Sequence, residues 1–321
     1  MHFPVSGVDV NPLVPVVVAL VVSTFTSMGG VSGAFLLLPF QVSVLGFSSP
    51  AVSPTNLVFN IVAIPSGVYR YLREGRMNWP VAGVTILGTL PGLIAGALIR
   101  IRWLPDPRHF KLFVGLVLLY FGGRLLWDQT PWAKRKKAAI QEFEAKVNVR
   151  LQEVLKAAGY RAGAPLPEAA RVRTRSVGLR HISYDFLGET FTFNTMGVFI
   201  LALVVGLISG TYGIGGGAII APFLAAVFQL PIYTIAGAAL LGSFITSVAG
   251  VAIYYGLAPY FPGQAVAPDL LLGALFGLGG FLGMYIGARL QKFLPGTTIR
   301  IGLGIIIVGL ALRYIVGFWL G

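Results

Sequence analysis

The chain contains no cysteine, so disulfides and thiol chemistry are excluded. Charge is almost as scarce: only 11% of the 321 residues are charged, eleven of them acidic, and there are three histidines. None of those acids or histidines falls deep inside an apolar run. Asp9, Glu74, Asp106, Asp128, Glu142, Glu144, Glu153, Glu168, Asp185, Glu189 and Asp269 lie in polar stretches or at run ends, as do His2, His109 and His181. A charge at the bilayer centre costs about 2.5–3.5 kcal/mol on insertion scales, and those kept there usually mark proton relays or ion pathways. Their absence weakens a cation carrier, a carboxylate relay and a His/Asp/Glu metal centre. It leaves an uncharged interior suited to an anion. No Gly-Lys-Ser/Thr phosphate loop is present, which removes direct ATP hydrolysis. No basic residue precedes the first apolar run, so MHFPVSGVDVNP does not read as a cleaved signal peptide.

Apolar residues make up 56% of the chain, far above a soluble domain, and mean hydropathy is +0.81. The runs are long and lack the alternation of barrel strands, so the chain reads as an all-α integral membrane protein. Its partner is the lipid bilayer. The net charge of +13 restates membrane topology rather than nucleic-acid binding, and no cofactor is implied.

Two glycine-rich stretches organise the chain. Ser27 to Phe40 reads SMGGVSGAFLLLPF and Thr211 to Phe223 reads TYGIGGGAIIAPF. A shift of 183 positions superposes Gly30 on Gly213, Gly33 on Gly216, Pro39 on Pro222, Phe40 on Phe223, Gly67 on Gly250 and Tyr71 on Tyr254. Six identities at one offset indicate a duplication, and paired Gly/Pro-interrupted segments in two halves point to a transporter's binding site. Each half holds five apolar segments. The first set is Leu13 to Met28, Gly33 to Gly46, Pro50 to Leu72, Trp79 to Ile101 and Phe110 to Trp127. The second is Met196 to Thr211, Gly215 to Leu230, Pro231 to Tyr255, Pro268 to Leu290 and Thr298 to Leu320. The last three of each set suffice to span a bilayer, which takes about 20 residues. The first two are short and read either as a glycine-broken re-entrant hairpin or as a pair of short helices. Each half then crosses an odd number of times, so the two repeats are expected to be inverted.

The stretches divide the chain into a first transmembrane repeat (1–127), a basic insert (128–195) and a second repeat (196–321). The insert holds Lys134 to Lys137, Lys146, Arg150, Lys156, Arg161, Arg171, Arg173, Arg175 and Arg180, so it is placed in the cytoplasm and both termini outside. Arg102 to His109, flanked by Arg100 and Lys111, is basic yet falls outside. Within the insert, Ile140, Phe143, Val147, Leu151 and Leu155 recur at helical spacing, and a hairpin around Gly188 is expected in Arg171 to Asn194. Trp79, Trp103, Trp127, Trp132 and Trp319 fall near span ends, as interface anchors do. Lys111 and Arg300, like Arg124 and Arg313, match at offset 189 and read as snorkelling residues.

Without a midplane cation, an anion is held by helix N-termini and neutral donors. Gly30, Ser32 and Gly33 in one half, and Gly213, Gly215, Gly216 and Gly217 in the other, would expose amides ahead of a half-helix. Ser53, Thr55, Asn56 and Asn60, with Ser243, Thr246 and Ser247, would add hydroxyl and carboxamide donors. The competing reading is that the glycines serve helix packing and the hydroxyls bond their own helix carbonyls.

The GGVSGAFLLLPF and GIGGGAIIAPF elements, the stretches AVSPTN and PIYTIAGAA that follow them, and the duplication resemble the TauE/SafE sulfite exporter family, also called toluene sulfonate uptake permeases. The similarity covers Leu13 to Trp127 and Met196 to Leu320; the insert is longer than the central connection of many members. The resemblance implies a bacterial or archaeal inner-membrane permease for sulfite, sulfoacetate or related sulfur anions. A passive anion channel, or a carrier of a non-sulfur anion, would suit the same neutral interior. A membrane-embedded enzyme would need a catalytic dyad that the spans do not contain.

Overall fold

A computed structural model describes residues 1–29, 31–136, 138–160, 166–290 and 296–320. It is mostly helical. After a small N-terminal hairpin, β1 (His2–Phe3) and β2 (Val8–Asp9), the first half contains α1 (Leu13–Gly29), α2 (Ala34–Ser43), α3 (Val52–Ala63), α4 (Pro65–Glu74), α5 (Trp79–Arg102) and α6 (Pro107–Trp127). A middle region follows with α7 (Pro131–Lys136), α8 (Ala138–Ala157) and the strands β3 (Arg173–Val177), β4 (His181–Phe186) and β5 (Glu189–Asn194). The second half contains α9 (Thr195–Tyr212), α10 (Gly217–Val227), α11 (Ile232–Leu257), α12 (Leu270–Leu290) and α13 (Gly296–Leu320). Six of the described helices, α5, α6, α9, α11, α12 and α13, are long and apolar enough to cross a membrane.

Two expectations about segments change. Pro50 to Leu72, expected as one span, is broken at Ile64, because Pro65 has no N–H to continue the ladder and starts α4 at its first position. The two short segments of each half are unequal: α9 reaches 18 residues and α1 17, while α2 and α10 have only 10 and 11. All five tryptophans are more than half exposed or sit at helix ends, as anchors require; Trp103 and Trp319 are 73% and 78% exposed.

Glycine sets how the helices meet. Along α5, Gly88, Gly92 and Gly96 press on Phe199, Leu203 and Leu207 of α9 in turn, and an added methyl at each would strike the facing carbonyl oxygen. Gly279, Gly283 and Gly287 of α12 do the same to Val16, Leu20 and Thr24 of α1. Lipid tails are as apolar as leucine, so close backbone approach is what drives such pairing. In both pairs the contacts advance together, so the helices run parallel. The α6–α13 pair runs antiparallel, with Gly115 against Tyr314 and Ile315, Gly122 against Ile307 and Val308, and Gly304 against Leu126. Between α3–α4 and α11 one contact is made twice: Gly250 meets Leu57 and Gly67 meets Leu240, each pair displaced by 183 positions from the other.

The middle region follows its pattern. Val147 and Leu151 form the buried face of α8. The expected hairpin is β4–β5, turned by Leu187 and Gly188 with φ of 54° and 79°, the two left-handed residues of a tight hairpin turn. β3 adds a third antiparallel strand. This sheet docks on the membrane helices: Phe186 stacks on Tyr233 with ring centres 5.4 Å apart, and the Tyr184 hydroxyl lies 2.8 Å from Thr234 Oγ1. Glu144 accepts from the Ile232 amide at the start of α11 at 2.8 Å. Burial raises the Glu144 carboxyl above its ordinary pKa, and that amide bond only partly opposes the shift. On the facing side the Leu166 amide donates to Glu74 O at 3.1 Å.

Candidate functional site

The second glycine stretch is a linker between two helices, shaped by left-handed residues. α9 ends at Tyr212, and Gly213 and Gly215 have φ of 87° and 84°, which carry the chain across to α10. Ser53, Asn56 and Asn60 recur at helical spacing on α3, so one face of that helix presents all three. They donate to carbonyls in the last turn of α9 and in the linker: Ser53 Oγ to Thr211 O at 2.7 Å, Asn56 Nδ2 to Gly213 O at 2.9 Å and Asn60 Nδ2 to Ile214 O at 2.7 Å. A stripe from the first half thus holds the glycine stretch of the second.

Asn56 also links the two stretches. Its Nδ2 donates to Ala34 O, in the first turn of α2, at 3.0 Å, and its Oδ1 accepts from Gln41 Nε2 at 3.2 Å. Tyr212, at the end of α9, donates to Phe35 O at 2.8 Å, and Tyr254 to Gly210 O at 2.8 Å.

The expected free amides are not found at three positions. The amides of Gly213, Gly215 and Gly217 donate to Ser209 O, Ser209 Oγ and Ser243 Oγ at 2.7, 3.1 and 2.8 Å. A helix carbonyl satisfies the first, and serine hydroxyls satisfy the other two. Ser32 plays the equivalent part at α2, where the Ala34 amide donates to its Oγ at 3.3 Å. Gly30 lies outside the described residues. Thr55 and Thr246 bond their own helix carbonyls, Ala51 O and Gly242 O, at 2.7 Å each, and Thr55 Oγ1 also accepts the Asp269 amide. Those two residues follow the packing reading.

What remains is compact. The space where Gly215 would carry a Cβ has Asn60 Nδ2 at 2.8 Å, Ser247 Oγ at 3.2 Å and Ser243 Oγ at 3.5 Å. All three residues are buried, and Ser247 Oγ has no hydrogen-bond partner. A second orphan, Ser23 Oγ, stands 2.6 Å from the Cβ position of Gly33. Each glycine stretch therefore has one buried, unpaired hydroxyl beside it. A buried polar group without a partner costs about 1–3 kcal/mol. Gly216 faces Thr89 and, further off, Thr246.

A cation enters the interior at a position the sequence left unmarked. Arg100, in the last turn of α5, is fully buried. It donates to Leu104 O and, at 2.9 and 3.0 Å, to Ser48 O and Ser49 O, and lies 3.7 Å over the Phe110 ring. Its neighbours are carbonyls and an aromatic face, so Arg100 fastens the loop leading into α3 while its charge stays uncompensated by a carboxylate. Asp269 is a buried helix cap, accepting from the Leu272 amide and from Ser6. Among the described residues no group of His, Asp and Glu could hold a metal ion.

The sequence did not indicate Ser23, Ser209, Gln41 or Tyr212, and it marked Tyr254 only as the counterpart of Tyr71. Ser209 carries a usable signal: it precedes the first positive-φ glycine by four residues, where a hydroxyl reaches a helix C-terminal linker.

Buried neutral donors around broken helices, carried on several spans, define a multi-pass membrane protein with a polar centre. Residues 16–314 match the family described as sulfite exporter TauE/SafE, and the chain belongs to that family. It is 23% identical over 313 residues to the probable membrane transporter protein YunE of Bacillus subtilis strain 168, covering 93% of this chain and 96% of that one. It is also 27% identical over 103 residues to the probable membrane transporter protein YdhB of the same organism, covering 32% of this chain and 39% of that one. No solved structure matches. Family and relatives together make this chain a membrane transporter.

Proposed function

We propose that the protein is a secondary transporter that carries sulfite or a related organosulfur anion across a bacterial or archaeal inner membrane, by alternating access at a midplane site between two inverted repeats. It performs no chemistry on its cargo. The observation that carries this reading is the orphan hydroxyl beside each glycine stretch, Ser23 by Gly33 and Ser247 by Gly215, within a buried set of neutral donors. An anion arriving there accepts from Ser247, Ser243 and Asn60. It also displaces Ser209 and Ser243 from the amides of Gly215 and Gly217, at the positive end of α10. Ser32 and Gly33 serve the same role at α2. The family name supports sulfur oxyanions as the cargo class.

Inversion is supported by direction: α6 and α13, counterparts in the duplication, run antiparallel, and the Gly250–Leu57 and Gly67–Leu240 contacts exchange between the halves as across a two-fold axis. Access alternates by rocking across that seam. The units are 1–127, 128–195 and 196–321, with the basic insert in the cytoplasm and both termini outside.

Purified protein in liposomes tests the reading by radiolabelled sulfite flux, with taurine, sulfoacetate, sulfate and acetate as competitors. Saturable flux blocked by sulfur anions and untouched by acetate is expected. No flux from folded protein would refute the cargo assignment.

A further inference from the structure

The basic loop that dissents from the charge rule leads to a second site. Arg108, Lys111, Arg313, Ser43, Tyr314, Gly317 and Phe318 line a cavity of about 330 Å³ where the start of α6 meets the end of α13 and the end of α2. Every charged group in that lining is a cation. Among the described residues none of the three is paired with a carboxylate. Asp106, two residues before Arg108, caps α6 through the amides of Arg108 and His109 and is not among the lining residues. A concave surface lined by one sign of charge concentrates ions of the other.

The floor is polar and built. Ser43 Oγ and the Tyr314 hydroxyl are 2.6 Å apart, and the same hydroxyl reaches Pro39 O at 3.2 Å. Tyr314 lines the cavity while only 5% exposed. Pro39 lies on α2, the half-helix that begins beside the central site.

The duplication adds an independent reason. Lys111 and Arg313 correspond, at offset 189, to Arg300 and Arg124. Because α6 and α13 are antiparallel, those partners fall at the opposite end of the pair. Snorkelling alone asks for a cation at a span end, without asking that cations from two helices converge on one cavity.

We infer that this cavity binds a group with a three-oxygen anionic face, a sulfite, sulfonate or phosphate, presented free in solution or as the headgroup of an anionic lipid. Arginine forks and a lysine match such oxygens, and the Ser43 hydroxyl donates to them when Tyr314 turns its proton from Pro39 O to Ser43 Oγ. Basic pockets between membrane helices bind lipid headgroups by the same chemistry. The site is separate from the central one and does not depend on the transport reading.

Binding, read without flux, tests it. Full-length protein is placed in nanodiscs of neutral phosphatidylcholine and titrated with inorganic phosphate and with sulfate; in a second arm, phosphatidylglycerol retention is read by native mass spectrometry. Wild type is compared with Arg108→Gln/Lys111→Gln/Arg313→Gln, with each single substitution, and with Arg313→Lys. At least tenfold weaker anion binding in the triple variant, a few-fold loss in the singles and retention in Arg313→Lys would support a site for free oxyanions. Loss of phosphatidylglycerol alone, in the same order of variants, would support the site with a lipid headgroup as its occupant. Equal binding of both probes to wild type and to every folded variant, singles included, would overturn the proposal.

Discussion

Asn56 bonds to both glycine-broken elements through one carboxamide nitrogen, and its removal gives the sharpest prediction. Asn56→Ala strips partners from Ala34 O, Gly213 O and Gln41 Nε2, bonded at 3.0, 2.9 and 3.2 Å. The residue is fully buried. Interhelical hydrogen bonds in membrane proteins average about 0.6 kcal/mol each, so three come to about 2 kcal/mol. Orphaned groups in a protein interior cost about 1–3 kcal/mol each, which sets a higher ceiling. The lower scale is the proper one for a bundle whose unfolded state stays in the membrane, and about 2 kcal/mol is a roughly thirtyfold change in the unfolding equilibrium. Thr246→Val is the matched control. It removes a hydroxyl whose bonds, to Gly242 O and Ser243 O, stay within its own helix, so it should cost under about 0.5 kcal/mol. Denaturation of purified protein in mixed micelles reads both. Asn56→Ala unfolding within about 0.5 kcal/mol of wild type would refute the idea that this carboxamide joins the two halves.

Three further outcomes follow from the same contacts. Ser247→Ala removes an unpaired buried hydroxyl, so unfolding stability should stay level or rise while KM for sulfite rises several-fold; a stability loss with unchanged KM would make Ser247 structural. Gly33→Leu and Gly216→Leu should each abolish flux in liposomes at near-normal expression, because the added side chain enters the space beside Ser23 and Phe59 or beside Thr89; wild-type flux in a folded double variant would remove the glycines from the site. Glu74 titrates in the acid range. Burial opposes its charge, yet hydrogen bonds from Arg70 and Arg76 outweigh that and hold the carboxyl below its ordinary value of 4.5. The stabilisation is complete above that value and is lost as pH falls through the lower folded value. The gap in unfolding temperature between wild type and Glu74→Gln should be constant near neutrality and close on acidification; a gap independent of pH would show that the ion pairs contribute nothing.

Six identities at one offset are the whole of the sequence's case for a duplication, and the helical middle region was legible because charges and apolar residues alternate at helical spacing. The polar face Ser53, Asn56 and Asn60 was legible as a face, though its target was not. Which carbonyl each side chain reaches depends on how α3 lies against the α9–α10 linker, more than 150 residues away in sequence. The occupied amides were hidden for the same reason, since Ser243 caps Gly217 from 26 residues downstream. The glycine seams escaped because Gly88, Gly92 and Gly96 match Gly279, Gly283 and Gly287 at offset 191, whereas their contacts Phe199, Leu203 and Leu207 match Val16, Leu20 and Thr24 at 183. A lengthened loop between segments shifts the register that a single offset searches. Arg100 was unreadable because an arginine at a span end snorkels by default; the Ser48, Ser49 and Leu104 carbonyls and the Phe110 ring that close around it come from the fold.

Alternation between two inward- and outward-facing states separates a carrier from a pore. Liposomes preloaded with unlabelled sulfite and diluted into a trace of labelled sulfite measure it directly. The account predicts a transient labelled uptake above equilibrium, driven by exchange and abolished in Gly33→Leu. Labelled entry that is indifferent to the preload, at any sulfite concentration, would contradict alternating access and leave a passive pathway through the same neutral centre.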